Sequence, residues 1–172
     1  VPQRLQLDHA LAAQRYRHLY GLTDEQLGAV AVAVRNHAAI HPGAQLRRPV
    51  TMADYMRSPY IAEPFRLLDC CVRTTGAAAF VMTSPERARD LRRPPVYLLG
   101  GGYACSVASR RHYWTQRAEL ASSATEEAAA RAYAMAGVTP ADVDFFEAQD
   151  PYTIATIVAL EACGFCPKGE AG

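Results

Sequence analysis

The front of the chain carries apolar side chains at helical spacing. A helix over residues 7–20 brings its apolar positions near one face. A second helix follows Thr23, because Thr23 with Gln26 three residues later has the form of a capping box. Pro42 stops this second helix, since proline cannot continue the helical hydrogen bonding. The pattern therefore predicts two long helices, followed by a short capped helix over residues 51–57.

Short apolar runs alternate with helical segments in the rest of the chain. The predicted strands cover residues 76–83, 96–99 and 143–146, and the further predicted helices cover residues 84–91, 123–136 and 154–163. Residues 105–123 have a weak pattern and are predicted to be mostly loop. This order predicts an α/β fold in which residues 22–66 form a mostly helical excursion outside the sheet. We expect residues 96–99 and 143–146 to be neighbouring strands, with the helix over residues 123–136 packed on them.

Composition favours a soluble globular protein. Half of the 172 residues are hydrophobic, the net charge is +1, and no run of apolar residues reaches the length that a membrane span needs. The first residues also lack the apolar core of a secretion signal. We therefore expect no membrane span and a cytoplasmic location.

The charges are divided unevenly along the chain. Residues 1–111 hold 15 basic and 8 acidic side chains, a balance of +7, whereas residues 112–172 hold 3 and 9, a balance of −6. The basic part could attract the phosphates of a nucleotide cofactor, or it could simply be a solvated surface. The arginines are scattered and no aromatic residues alternate with them, so no nucleic-acid partner is predicted. Cys163 with Cys166, and His37 with His41, each have a spacing that can bind metal, but no further ligands complete a site, and no metal is expected.

Polar residues follow the predicted strand over residues 143–146. The sequence there is QDPYT, residues 149–153, and a helix begins directly after it. Open α/β sheets bind ligands at such strand ends, beside helix starts. Gln149 can donate and accept hydrogen bonds but cannot carry a proton. Asp150 could cap the following helix or take part in chemistry, and Tyr152 could be a core residue or a catalytic one.

Several motifs resemble those of thiolases, in particular the lipid-transfer-protein branch that includes sterol carrier protein x. The run QDPYT is similar to the family's HDCFT, YDCFT or YDPFT motif, and GFCPKGEAG at residues 164–172 is similar to its GFCxKGEGG. The segments RYRHLYGLTDEQL at residues 15–27 and GAAAFVMTSPERA at residues 76–88 also match that family. The resemblance therefore extends over nearly the whole chain.

The resemblance implies a partial thiolase-like α/β fold. Residues 1–93 would be the loop domain with the last strand and helix of the N-terminal half, and residues 94–172 the start of the C-terminal half. The nucleophilic cysteine of thiolases would precede residue 1, and the GHP histidine motif would follow residue 172. We therefore expect the chain to be the middle portion of a thiolase-like enzyme, incomplete and inactive by itself.

The resemblance also implies a function. The first hypothesis is acyl transfer, with thiolytic C–C cleavage, on acyl-CoA thioesters of lipid or steroid side chains. The alternatives are a retro-aldol lyase acting on a β-hydroxyacyl-CoA with a small CoA-binding partner, and a non-catalytic acyl-CoA-binding subunit. Coenzyme A or acyl-CoA would be the substrate, with no permanently bound cofactor. The partner would be a second copy, as a homodimer, or a thiolase-like or CoA-binding OB-type subunit.

Site residues are inferred from the matching motifs. The predicted catalytic residues are Gln149, Asp150 and Tyr152, and the predicted coenzyme A contacts are Arg47, Arg48, Thr75, Gly76 and Ala77. Three positions depart from the common pattern. Gln149 stands where the family has His, Asn or Tyr, and Thr75 stands where it has Asp. Pro151 occurs in some lipid-transfer-like members and so favours the lyase alternative, whereas Gln149 argues against it.

Overall fold

The computed structural model describes residues 4–105 and 121–172. Its α-helices are α1 (Arg4–Tyr20), α2 (Asp24–Ile40), α3 (Met52–Arg57), α4 (Pro85–Arg89), α5 (Thr125–Ala136) and α6 (Thr153–Ala162). Its strands are β1 (Tyr60–Ala62) and β2 (Phe65–Arg66), which pair antiparallel. Short 3-10 helices cover Leu67–Asp69 and Pro140–Asp142. The described part of the chain is therefore mostly helical, with one small sheet.

The helix ends follow from local sequence. Thr23 caps α2 by accepting a hydrogen bond from the Gln26 N–H, and the Gln26 side chain bonds back to the Thr23 N–H. Thr51 and Asp54 form the same reciprocal pair at the start of α3. Gly137 ends α5 in the left-handed conformation, with φ of 68°, which glycine adopts without steric cost. The predicted helices at these places are confirmed.

The predicted strands are not formed. Residues 76–83, 96–99 and 143–146 have no strand hydrogen bonding among the described residues, so they are not neighbouring strands of one sheet. A strand exists only through a ladder with a neighbour, and apolar sequence alone does not supply one. Their side chains are correspondingly open, with Phe80 84%, Val96 99% and Phe145 79% exposed. The described residues therefore contain one small two-stranded sheet instead of the predicted larger sheet, and the loop predicted for residues 105–123 falls largely on residues 106–120, outside them.

The glycine segment that follows residues 96–99 contacts α5, the helix that was expected to pack on the predicted strands. The segment after residues 96–99 lies directly on α5, because a Cβ on Gly100 would be 2.5 Å from the Ala132 carbonyl oxygen. A Cβ on Gly102 would overlap the Ala128 carbonyl oxygen, at 1.8 Å. Only glycine allows two backbones to approach this closely. The Arg131 side chain adds a 2.6 Å hydrogen bond to the Tyr103 carbonyl.

The core lies between α6 and the helices at the front of the chain. Its largest fully buried side chains are Tyr16, Leu27, Tyr55, Phe65, Ile154, Ile157 and Val158. Burying a large apolar side chain contributes about 1.5–3 kcal/mol, so these residues carry much of the stability. Residues 22–66, predicted as an excursion, contribute α2, α3 and the small sheet to this core. The predicted division of the chain at residue 93 stays a prediction.

No helix within residues 4–105 and 121–172 is both long and apolar enough to cross a bilayer.

Candidate functional site

The motif GFCPKGEAG is anchored by a buried carboxylate. Glu161 on α6 accepts hydrogen bonds from the Tyr16 hydroxyl and, at 2.8 Å, from the Gly169 N–H. The Lys168 ammonium lies 2.8 Å from its other oxygen. Burial and the bond to Glu161 raise the pKa of Tyr16, so its phenol stays protonated. The motif therefore ties the end of α6 to α1.

The QDPYT corner leads into α6. The helix begins at Thr153 with Tyr152 as its cap residue, and no side chain bonds to its free N–H groups. The prediction that Asp150 caps this helix is therefore wrong. Asp150 instead lines a cavity beside the corner. The Ala155 N–H bonds to the Tyr152 carbonyl at 2.9 Å, which satisfies one donor of the first turn from the backbone.

Residues 69–71 hold this corner in place. The Cys71 N–H donates a 3.1 Å hydrogen bond to the Pro151 carbonyl, and Cys70 forms an antiparallel bridge with Tyr152. The Thr153 hydroxyl donates a 2.7 Å bond to Oδ1 of Asp69. Together these contacts form a short seam between the corner and the segment that follows β2.

Asp69 is the buried charged group of the seam. It is only 2% exposed, yet three donors reach its oxygens. The Tyr55 hydroxyl lies 3.0 and 2.9 Å from its two oxygens, and the Arg66 N–H lies 2.6 Å from Oδ2. Burial raises the pKa of Asp69, although the hydrogen bonds from Thr153, Arg66 and Tyr55 act in the opposite direction. Asp69 is thus a structural acceptor that joins α3, β2 and the start of α6.

Tyr152 is a core residue. Its ring stacks on Phe65, with centroids 5.4 Å apart and planes 3° from parallel, and it contacts the ring of His9 at 4.5 Å. Burial, with the neighbouring Cys70 and Cys71, raises the pKa of its phenol. A phenol with a raised pKa stays protonated at neutral pH. The structure therefore gives Tyr152 a packing role beside the corner.

A cavity of about 660 Å³ opens next to the corner. Its apolar lining consists of Val30, Ala31, Val34, Ala38, Ala44, Leu46, Ile61, Leu67, Leu68 and Val72. Its polar lining consists of Gln6, Arg35, Gln45, Asp69, Cys70, Cys71, Thr74, Asp150 and Thr153. An apolar cleft of this size with a few polar groups is typical of a small-molecule site. The corner and the seam form its polar side.

The predicted site residues are distributed unevenly around this cavity. All eight predicted site residues lie in the described part of the chain, and Asp150 alone among them lines the cavity. Gln149 is exposed and lies outside the lining. Thr75, Gly76 and Ala77 are exposed in an extended segment, next to Thr74, which does line it. The predicted roles of these residues stay predictions.

The predicted arginines lie near the cavity but outside its lining. Arg47 reaches the Ala39 carbonyl at 3.5 Å, and the Arg48 carbonyl accepts a 3.3 Å bond from Arg35. Arg35 is the lining arginine within the described residues. Of the predicted coenzyme A contacts, Arg47 and Arg48 are therefore exposed beside the cavity, and Arg35 lines it.

Sequence reasoning missed Asp69, Thr153 and the wall that α2 supplies. The signal for Asp69 was an acidic residue directly after an apolar pair, in LLDCC at residues 67–71. An acid in such a position is buried only when donors surround it. One of those donors, the Arg66 N–H, is local, but the other two come from residues 55 and 153, and no local pattern could identify them.

The cysteines of the described part are all free. Burial raises the pKa of Cys70 to about 11, and it also raises the pKa values of Cys163 and Cys166. A catalytic thiol requires a lowered pKa, and none of these three has one. No group of three or more potential metal ligands occurs in the parts of the chain that the structure describes.

The chain is similar in sequence to several known proteins. Residues 106–172 match the family model for the thiolase C-terminal domain-like fold. The chain is 44% identical over 164 residues to a 17-hydroxy-3-oxo-4-pregnene-20-carboxyl-CoA lyase of Mycobacterium tuberculosis, a match that covers 94% of this chain and 42% of that protein. It is 37% identical over 164 residues to an acetyl-CoA acetyltransferase of Methanothermobacter thermautotrophicus, covering 95% and 42%.

The chain is also similar in three dimensions to a solved structure. The Ltp2–ChsH2(DUF35) aldolase superposes with a TM-score of 0.91 at 37% identity, over 95% of this chain and 44% of that one. The chain thus spans about two fifths of the length of the curated relatives that it matches. The resemblance inferred from QDPYT and GFCPKGEAG is confirmed. Over the part of that fold that it spans, the chain is similar to the thiolase-like superfamily, close to its lipid-transfer-protein thiolases.

Proposed function

We propose that the protein carrying this chain is a retro-aldol lyase that cleaves a β-hydroxyacyl-CoA with a bulky, steroid-like acyl group. The observation that carries the proposal is the likeness to an aldolase at a TM-score of 0.91, together with 44% identity to a lyase of a steroid carboxyl-CoA. Acyl transfer, the first hypothesis from the sequence, has weaker support from these relatives.

The cleavage requires one proton acceptor and one group that stabilises negative charge. The acceptor takes the proton of the β-hydroxyl, the bond between the α and β carbons breaks, and the β carbon becomes a ketone. The electron pair moves into the thioester, forming an enolate that is then protonated at the α carbon. The products are a ketone and a shorter acyl-CoA. Hydrogen-bond donors near the thioester oxygen would lower the barrier, because charge develops there.

Asp150 is the candidate acceptor in the part of the site that this chain supplies. It lines the cavity, its carboxylate does not cap α6, and it follows directly on Gln149. The Gln149 amide could donate to the thioester oxygen, although it could not carry a proton. Tyr152 would support both residues through its packing on Phe65. Asp69 has its oxygens occupied by protein donors and is a poor acceptor.

The cavity supports a bulky acyl group. Its volume of about 660 Å³ and its wall of aliphatic side chains favour a large apolar group over a short acyl chain. Coenzyme A would extend from this cavity toward the basic stretch at Arg47 and Arg48. The exposed residues Thr75, Gly76 and Ala77 stay candidate contacts for its pantetheine arm.

A second candidate is thiolase-type acyl transfer. The 37% identity to an acetyl-CoA acetyltransferase favours it, and the cysteine nucleophile would then come from outside this chain. The third hypothesis, a non-catalytic acyl-CoA-binding subunit, predicts binding without turnover. A CoA-binding partner subunit is proposed for the lyase, by analogy with the two-component Ltp2–ChsH2(DUF35) aldolase.

The decisive experiment compares the reactions in the complete protein. A β-hydroxyacyl-CoA of a steroid side chain is incubated with the protein, with and without a DUF35-type partner, and products are identified by mass spectrometry. A lyase releases ketone and shorter acyl-CoA without consuming free coenzyme A. A transferase instead needs a 3-oxoacyl-CoA and free coenzyme A, and iodoacetamide inactivates it. Turnover of 3-oxoacyl-CoA with free coenzyme A, without cleavage of the β-hydroxyacyl-CoA, would overturn the lyase proposal.

Variants at the corner test the residue assignment. In the lyase assay, Asp150→Asn is expected to lower kcat by about 100- to 10,000-fold, the usual contribution of a general base. Gln149→Ala is expected to slow turnover by about ten- to a thousandfold, the cost of losing one oxyanion donor. Asp144→Asn is the matched control, because Asp144 is exposed and lies outside the cavity lining. Full activity of Asp150→Asn would remove the carboxylate from the mechanism.

A further inference from the structure

The strongest unassigned feature is the link between Asp69 and the start of α6. Asp69 lies in the cavity wall, yet its oxygens face the Tyr55 hydroxyl, the Arg66 N–H and the Thr153 hydroxyl. A buried carboxylate with three donors is fixed in one orientation, because moving it would leave a charge without hydrogen bonds. Asp69 can therefore hold the groups bonded to it in place without taking part in the reaction itself.

The segment that Asp69 holds in place is the QDPYT corner. Thr153 is the last residue of the corner and the first of α6, so its bond to Asp69 fixes the point where the extended chain becomes helical. The start of α6 has no side-chain cap that could hold it instead. The Cys71 N–H bond to the Pro151 carbonyl is the neighbouring contact of the same seam.

We propose that Asp69 is a positioning residue, which acts through the Thr153 hydroxyl to hold Asp150 and Gln149 in their working geometry at the cavity. The inference rests on the proposed function, since the role of the corner is proposed there. Positioning has large effects on rate, because a misplacement of about 1 Å at a reacting group can cost about a hundredfold. Thr153 is thus expected to influence kcat without contacting the reacting atoms.

The variants must separate positioning from general stability. Asp69→Asn would turn an amide N–H toward existing donors and is expected to disrupt folding, so it is a poor test. Thr153→Val keeps the shape of the side chain and removes only the hydroxyl that reaches Asp69. Thr153→Ser retains the hydroxyl and serves as the rescue variant. Tyr55→Phe removes the donor that α3 supplies to Asp69 while the Thr153 hydroxyl stays in place, and so controls for loss of stability.

Two measurements are made on the complete protein. The first is the split between kcat and KM for the acyl-CoA substrate. The second is hydrogen exchange, followed by mass spectrometry, in peptides covering residues 149–156 and residues 70–72. Exchange needs no activity, so it tests the link between Asp69 and the corner separately from the proposed reaction.

Thr153→Val is expected to lower kcat by about ten- to a hundredfold with little change in KM. It is also expected to speed exchange in both peptides, and Thr153→Ser is expected to restore both readouts. Tyr55→Phe is expected to lower the denaturation midpoint while leaving kcat and the exchange of residues 149–156 near those of the wild type. Unchanged exchange in Thr153→Val, or equal loss of kcat in Tyr55→Phe, would overturn the inference. Altered exchange in a protein without turnover would support the link and count against the proposed function.

Discussion

The Lys168 ammonium lies 2.8 Å from Oε2 of Glu161, and the two side chains are 38% and 1% exposed. Water reaches the lysine but not the carboxylate. The carboxylate depends on protein donors for its solvation, and Tyr16 and Gly169 supply the others. This pair therefore anchors the last described segment of the chain to α1 and α6.

Removing the lysine is expected to destabilise the protein more than removing a surface charge. Lys168→Met leaves a buried carboxylate without its countercharge and is expected to lower the free energy of unfolding by about 2–3 kcal/mol. This loss is smaller than that for a wholly buried pair, because the lysine is partly exposed. Arg57→Met is the matched control. Its pair with Asp54 lies at the surface and is expected to contribute less than about 1 kcal/mol. Urea denaturation gives both values, and equal losses would contradict the buried-pair argument.

Gly28 is expected to resist substitution because α2 and α3 meet there. A Cβ at this position would lie 2.6 Å from the Met52 sulfur and 2.6 Å from Cδ1 of Tyr55. Tyr55 cannot easily move, since its hydroxyl is bonded to Asp69. Gly28→Ala gains about 1 kcal/mol of helix propensity, but overpacking costs about 1–3 kcal/mol, so a net loss of stability is expected.

The control for this prediction is Gly101→Ala, where no atom lies within 4 Å of the added Cβ. Thermal and urea denaturation of both variants provide the comparison. A Gly28→Ala protein more stable than the wild type would show that α3 can move away from α2.

Asp24 is expected to add stability at neutral pH that disappears in acid. Burial raises the pKa of its carboxyl, but hydrogen bonds from Arg17, Arg66 and Tyr60 outweigh it and hold the pKa below its ordinary value of 3.8. A carboxyl whose folded pKa is lowered stabilises the fold above the unfolded pKa. That contribution is lost as the pH falls through the folded pKa.

Asp24→Asn is therefore expected to lower the free energy of unfolding by about 1–3 kcal/mol at pH 7, as for bonds to a charged group. The difference from the wild type is expected to shrink as the pH falls below about 4, because the wild-type carboxyl is then being protonated. Denaturation at pH 7 and pH 3 measures it, with Asp144→Asn as the exposed control. A difference that grows in acid would contradict the assigned direction of the pKa shift.

Helices could be predicted from this sequence because their signals are local. The Thr23–Gln26 box and Gly137 act within a few residues, and the structure has helix ends at both places. Strands could not be predicted in the same way. Residues 96–99 and 143–146 have apolar sequence suited to a strand, but a ladder needs a second segment in register. None pairs with them among the described residues.

The candidate site was predictable only where one motif contained it. QDPYT identified the corner, and Asp150 does line the cavity. The roles within the motif were less predictable. The cap assigned to Asp150 is absent, and the side-chain contact at the start of α6 goes instead from Thr153 to Asp69, 84 residues earlier. The wall from α2 likewise depends on packing between distant segments. Local motifs located the corner, and long-range contacts determined the cavity.

The arginines beside the cavity provide the last prediction. Arg47 and Arg48 are exposed, and their chain is joined to the cavity wall through the bond from Arg35 to the Arg48 carbonyl. Replacing both with alanine removes two positive charges without removing a side chain that lines the cavity. If these charges contact the phosphates of coenzyme A, affinity is expected to fall by about tenfold at low salt, a loss of about 1.4 kcal/mol.

Salt dependence separates this contact from a change of fold. The difference between wild type and the double variant is expected to narrow at about 1 M salt, where the screening length falls to about 3 Å. Isothermal titration with coenzyme A at two salt concentrations measures it. Arg87→Ala with Arg89→Ala, in the short exposed helix α4, removes the same charge elsewhere and controls for the overall field. Equal affinity of the Arg47/Arg48 variant and the wild type at low salt would remove both arginines from the binding site, leaving Arg35 as the candidate cation of the cavity.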